Sequence, residues 1–200
     1  MLNLDNFIRG TIPGELGSLT NMKKLCLSMN LLEGKVPGTF TGLTKLEYID
    51  LNVNKLTGTI PENLTDGWKN LQILDFSENK LSGMIPQKIL TLNPKLLYVI
   101  LADNLLNGTL PQDTSGLKML KLLSMGSNRL SGTIPTSWMN LPSLLDFKVA
   151  GNRLSGTIPA EVFKLSKLEE LVLVSISITF ISKLRLSVGS HDESNSSNAE

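Results

Sequence analysis

The sequence predicts an α/β repeat solenoid, with parallel strands stacked on a concave face and loops or short 3-10 or α turns on the convex side. Three observations predict it. The motif Gly-x-(Ile/Val/Leu)-Pro occurs seven times, with prolines at Pro13, Pro37, Pro61, Pro86, Pro111, Pro135 and Pro159, always 24 or 25 residues apart. Asparagines stand in matching register: Asn30, Asn54, Asn79, Asn104, Asn128 and Asn152, with Asn6 in an imperfect first unit. Apolar residues recur at fixed offsets before each asparagine. Such a period marks units that bury their apolar faces only by stacking.

One unit shows the logic. It runs through Leu43, Leu46, Ile49, Leu51, Asn54, Leu56, Gly58, Ile60 and Pro61. Ile49 and Leu51 alternate with Asp50 and Asn52, the period of two that marks a strand with one buried face. Leu74 and Phe76 repeat the pair one unit on. The asparagine amide offers donors and an acceptor to backbone groups where the chain bends, in its own turn and the next. The glycine permits a left-handed backbone, and the proline fixes φ where no ladder N–H is needed. Two units are one residue longer, in the stretches 62–73 and 87–98. They are expected to form short helical turns on the convex side, where an insertion disturbs no ladder.

Leu-Ser-Gly-Thr-Ile-Pro at 130–135 and at 154–159 resembles the signature of plant extracellular leucine-rich repeats. The resemblance covers roughly residues 1–175. It implies a leucine-rich repeat solenoid of the kind found in the ectodomains of plant receptor-like kinases and receptor-like proteins. The expected function is non-catalytic recognition, in signalling or defence, of a peptide, a hormone or a partner protein such as a co-receptor ectodomain. The alternative is a secreted inhibitor of a microbial cell-wall hydrolase, similar to polygalacturonase inhibitors. By resemblance the protein is extracellular or associated with the plasma membrane.

The ends depart from the pattern. In the first unit Asn6 follows Leu4 by two residues, where Asn54 follows Leu51 by three. The eighth unit begins with Leu165, Leu168, Leu171 and Leu173, then places Ile176 where asparagine belongs. This divides the chain into an array of about seven and a half repeats over 1–175, a degenerate strand-like segment over 176–188, and a polar tail over 189–200 expected to be disordered. The ends read as those of a piece of a larger receptor-like protein, expected to self-associate through uncapped leucines; the alternative is a complete small protein capped by its own 176–188 segment. No signal peptide or membrane span is legible.

Composition argues against several classes. The formal net charge is +1, too small to recruit nucleic acid. Cys26 is the single cysteine and His191 the single histidine. No paired thiols, zinc motif, nucleophile–histidine set, phosphate loop or kinase motif appears, so no enzyme, metal or cofactor is implied.

The strand positions between buried leucines are free of the repeat's demands, and they are the candidate binding residues. Six before the asparagine run Lys24, Tyr48, Ile73, Tyr98, Leu122 and Asp146; four before it, Cys26, Asp50, Asp75, Ile100, Ser124 and Lys148; two before it, Ser28, Asn52, Ser77, Ala102, Gly126 and Ala150. Tyr48, Ile73 and Tyr98 form an apolar strip beside Asp50 and Asp75, with Asn52, Ser77 and Ile100 bordering it. Tyrosine is enriched at binding hot spots, and an acidic margin would suit a ligand with basic side chains. The sequons at Asn63, Asn107 and Asn195 are candidate glycosylation sites if the chain is secreted. The first two fall outside the concave columns.

Overall fold

The computed structural model describes residues 7–174 and the backbone of 177–179. The irregular first unit at Leu2, Leu4 and Asn6, the junction at Ile176 and everything from 180 onward lie outside the described residues. Apolar–polar alternation produces three-residue strands at Lys24–Cys26, Tyr48–Asp50, Ile73–Asp75, Tyr98–Ile100, Leu122–Ser124, Asp146–Lys148 and Glu170–Val172. They pair in parallel, each beside its neighbour in sequence, in one seven-stranded sheet. Ile49, Leu51, Leu74 and Phe76 are fully buried, so the strands turn one face into a core shared by all coils. Burying each such side chain is worth about 1.5–3 kcal/mol.

Each coil carries a second strand that the sequence reading did not anticipate. Arg9–Thr11, Leu31–Lys35, Lys55–Thr59, Lys80–Gly83, Leu105–Thr109, Arg129–Gly132, Arg153–Thr157 and Ser177–Thr179 form an eight-stranded parallel sheet. These segments straddle the Leu-x-Gly-x part of the motif. Leu56, Leu81 and Leu106 turn inward with no exposure, so here too one face is buried. The glycines hold positive φ, 78° at Gly58, where an added Cβ would lie 3.0 Å from the Lys35 Cγ of the preceding coil. The glycine therefore serves a left-handed backbone and a close approach together.

Helical turns form the convex side more widely than the two insertions suggested. Gly14–Ser18, Gly38–Gly42, Thr136–Asn140 and Ala160–Lys164 are 3-10 turns, whereas Leu64–Gly67 and Gln87–Thr91 are α-helical. The α turns fall in the two longer units, where one more residue widens the turn. Two buried indoles tie this side together. Trp68 Nε1 donates to the Phe40 carbonyl at 2.8 Å, and Trp138 Nε1 to the Pro111 carbonyl at 2.7 Å.

The asparagines act on their own turn and on the preceding coil, not the next one. Asn54 Nδ2 donates to the carbonyls of Leu51 (3.1 Å), Asn52 (3.1 Å) and, one coil back, Leu27 (2.9 Å). Its Oδ1 accepts the Leu32 N–H at 3.0 Å. The direction follows from the backbone at the bend: there the N–H groups point toward the following coil, as when the Leu27, Met29 and Asn30 N–H groups donate to the Asp50, Asn52 and Val53 carbonyls. A bend's unpaired N–H must therefore be met by the coil after it. Just before each asparagine the backbone is left-handed, at Met29, Val53, Glu78, Asp103, Ser127 and Gly151. The sequence disguises this turn, because only the last of these is glycine.

Candidate functional site

The sheet register brings the strip together. Tyr48 pairs with Ile73 and Ile73 with Tyr98; Asp50 pairs with Asp75 and Asp75 with Ile100. Stacked strands about 4.8 Å apart put the two tyrosines roughly 10 Å apart, with Ile73 between them. All three are half-buried, as is Ile100.

The carboxylates are not the open acidic margin that the sequence suggested. Asp50 is 9% exposed. Its Oδ1 accepts the Asn52 N–H at 3.0 Å, and its Oδ2 accepts the Tyr48 hydroxyl at 3.2 Å. Asp75 Oδ1 accepts the N–H and the hydroxyl of Ser77, at 3.0 and 2.6 Å, while its Oδ2 accepts Asn52 Nδ2 at 3.3 Å. Each aspartate thus turns back to hold the end of its own strand, a local carboxylate-to-backbone bond typical of the residue. Asn52 and Ser77 are partners in this network. Ser77 is buried, and Asn52 Oδ1 is buried with no hydrogen-bond partner.

This network perturbs its neighbours. Burial, then the charge and hydrogen bond of Asp50, push the Tyr48 phenol up to about 12. Burial and Asp50 raise the Cys26 thiol, with Lys24 opposing; the thiol is exposed but held away from the reactive thiolate form. What the strip offers outward is two phenol rings, Ile73 and Ile100. Tyr98 lacks the aspartate bond that engages Tyr48. Two open depressions lie elsewhere, at the second sheet, one beside Arg9, Leu31, Glu33 and Lys55, the other around Met84. Neither includes a residue of the strip. Among the described residues no three His, Cys, Asp or Glu side chains cluster as a metal site, and no helix is long and apolar enough to cross a membrane.

Leucine-rich repeat family models match residues 2–56, 70–92 and 119–141. This chain belongs to the leucine-rich repeat family. No curated protein sequence matches it, but solved leucine-rich repeat structures do. The ectodomain of the Arabidopsis thaliana receptor kinase GASSHO1/SCHENGEN3, in complex with Casparian strip integrity factor 2, is 38% identical, with a TM-score of 0.83 over 86% of this chain. The Arabidopsis receptor kinase HAESA, in complex with the peptide hormone IDA and the co-receptor SERK1, is 35% identical, with a TM-score of 0.83 over 88%. The chain spans only 21% and 30% of those two ectodomains. A chain of the BIR3–SERK2 complex from Arabidopsis thaliana is 36% identical, with a TM-score of 0.59 over 66% of this chain and 69% of that one. The repeats are thus of the kind found in plant receptor kinase ectodomains.

Proposed function

We propose that this leucine-rich repeat chain is a non-catalytic binding module of the plant receptor-ectodomain kind, holding a peptide or a partner ectodomain across Tyr48, Ile73 and Tyr98. One observation carries the reading. Where the repeat leaves side chains free, the register lines up two tyrosines around an isoleucine on the concave sheet. Rigid aromatic rings supply contact area at low entropic cost. The peptide and co-receptor complexes of similar ectodomains support it. So does the position of Asn63 and Asn107, which are exposed and off the concave sheet; glycans there would leave the strip open. The expected setting is outside the cell.

The test is affinity capture from plant extracellular fluid, with the parent and Tyr48→Ala/Tyr98→Ala as paired baits. The fold should survive, because neither ring belongs to the core. The parent should retain a peptide or ectodomain that the double variant loses, at a cost of about 2 kcal/mol or more for hot-spot residues. Equal retention by both baits would move the site off the strip.

A further inference from the structure

Just ahead of each concave strand the chain crosses a flank whose register is set by backbone bonds. Glu47 N–H donates to the Lys23 carbonyl, Gln72 to Glu47, Leu97 to Gln72 and Lys121 to Leu97, each at 2.8 Å. Five successive coils place exposed lysines on this flank: Lys23, Lys45, Lys69, Lys95, and Lys118 with Lys121. The same segments, 20–23, 44–47, 69–72, 94–97 and 118–121, contain one carboxylate, Glu47. It pairs with Lys23 at 3.0 Å. The other five lysines form no ion pair among the described residues.

What those lysines touch is replaceable. Lys45 and Lys95 reach amide oxygens one coil back, Asn21 at 2.7 Å and Asn70 at 2.8 Å. Lys69 reaches only the Thr65 carbonyl at 3.4 Å. A chain of net charge +1 has therefore gathered six lysines against one glutamate along a single edge. Such like charges repel one another unless a partner answers them. Apolar surface lies among them: Met119 is 50% exposed, and Leu97 is half-buried. The flank also adjoins the tyrosine strip, because Tyr48 follows Glu47 and Tyr98 follows Leu97.

We infer that this flank docks an extended acidic peptide segment of the partner. The four coil steps from Lys23 to Lys121 span about 19 Å, the length of about six residues of extended chain. Alternate side chains of such a segment face opposite ways. Carboxylates can meet the lysines while the intervening residues lie over Met119, Leu97 and the tyrosines. The concave sheet makes no competing demand for a basic ligand, since Asp50 and Asp75 are bonded within it. The inference rests on the binding-module reading for the neighbouring strip; the partner's charge is what it adds.

The experiment uses the full chain and a fluorescein-labelled octapeptide alternating Glu and Ala, with a Gln and Ala octapeptide as the uncharged control. The acidic peptide should bind, weaken as salt is raised, and lose at least about tenfold in affinity to Lys95→Glu/Lys118→Glu, as expected when complementary charges are reversed. Lys80→Glu/Arg129→Glu on the second sheet changes net charge equally and should leave binding unchanged. Equal loss from both variants means nonspecific attraction, and no binding to the parent removes the surface altogether; either result overturns the inference. An oligogalacturonate of matched charge that binds tighter than the peptide, and is lost to the same flank variant, overturns it in favour of a polysaccharide. Loss to Tyr48→Ala/Tyr98→Ala without loss to the flank variant overturns this inference while leaving the binding-module reading in place.

Discussion

Asn79 accepts the N–H of Leu56 on its Oδ1 at 3.0 Å, from one coil to the coil before. The same amide donates through Nδ2 to the carbonyls of Leu51 at 2.9 Å, Ser77 at 3.0 Å and Phe76 at 3.3 Å. One buried side chain thus closes two bends at once. Asn79→Ala should strand the Leu56 N–H away from water, at about 1–3 kcal/mol per unsatisfied group. Thermal melting should show a clear fall. Asn107→Ala is the comparison, because Asn107 is exposed on the second sheet and should melt like the parent. Equal melting of the two variants would sink the ladder account.

The ladder also shows what was legible in the sequence. Period and residue type identified the coil, the buried leucines and the asparagine's role, because a seven-fold pattern averages out local ambiguity. The direction of the asparagine bonds was not legible, since register along the stack depends on which way the N–H groups at the bend point. The second sheet was missed because Lys55–Thr59 lacks the apolar alternation that marks Tyr48–Asp50 as a strand; it is extended through pairing with neighbouring coils. Tyr48, Ile73 and Tyr98 could be aligned by counting alone. That Asp50 and Asp75 fold back on Asn52, Ser77 and Tyr48 could not, because local side-chain bonds leave no periodic trace. The flank lysines were countable too, but they precede the strand positions that a search for concave side chains inspects.

Asn93 breaks the core pattern. It stands three residues before Leu96, as Leu43 stands before Leu46, Trp68 before Leu71 and Leu117 before Leu120. Those residues are fully buried, and so is Asn93. Its Nδ2 donates to the Ile89 carbonyl at 3.0 Å, but its Oδ1 has no partner. Asn93→Leu should remove that stranded oxygen and restore the apolar column. A gain of about 1–3 kcal/mol is expected from the relieved desolvation, read as a higher denaturant midpoint. A lower midpoint would mean that the Ile89 bond, or a steric limit in the longer coil, outweighs the relief.

Tyr48 provides a titration that reports directly on the concave network. The chain has two tyrosines, so a Tyr98→Phe background leaves Tyr48 as the sole phenol absorbing on ionisation. Its midpoint should lie near 12, raised by burial and then by the charge and hydrogen bond of Asp50. Adding Asp50→Asn removes the charge but not the burial, so the midpoint should fall part of the way toward the ordinary value of about 10. The sign for stability follows from linkage. A pKa raised in the folded state gives a contribution fully present below pH 10 and lost as the pH rises toward 12. Tyr48→Phe should therefore flatten the loss of stability in that window while leaving neutral-pH binding through the ring largely intact. An unshifted phenol in the Tyr98→Phe protein would mean that the Tyr48 hydroxyl does not sit on Asp50 in solution. It would also free the Asp50 carboxylate to meet a basic group on a ligand.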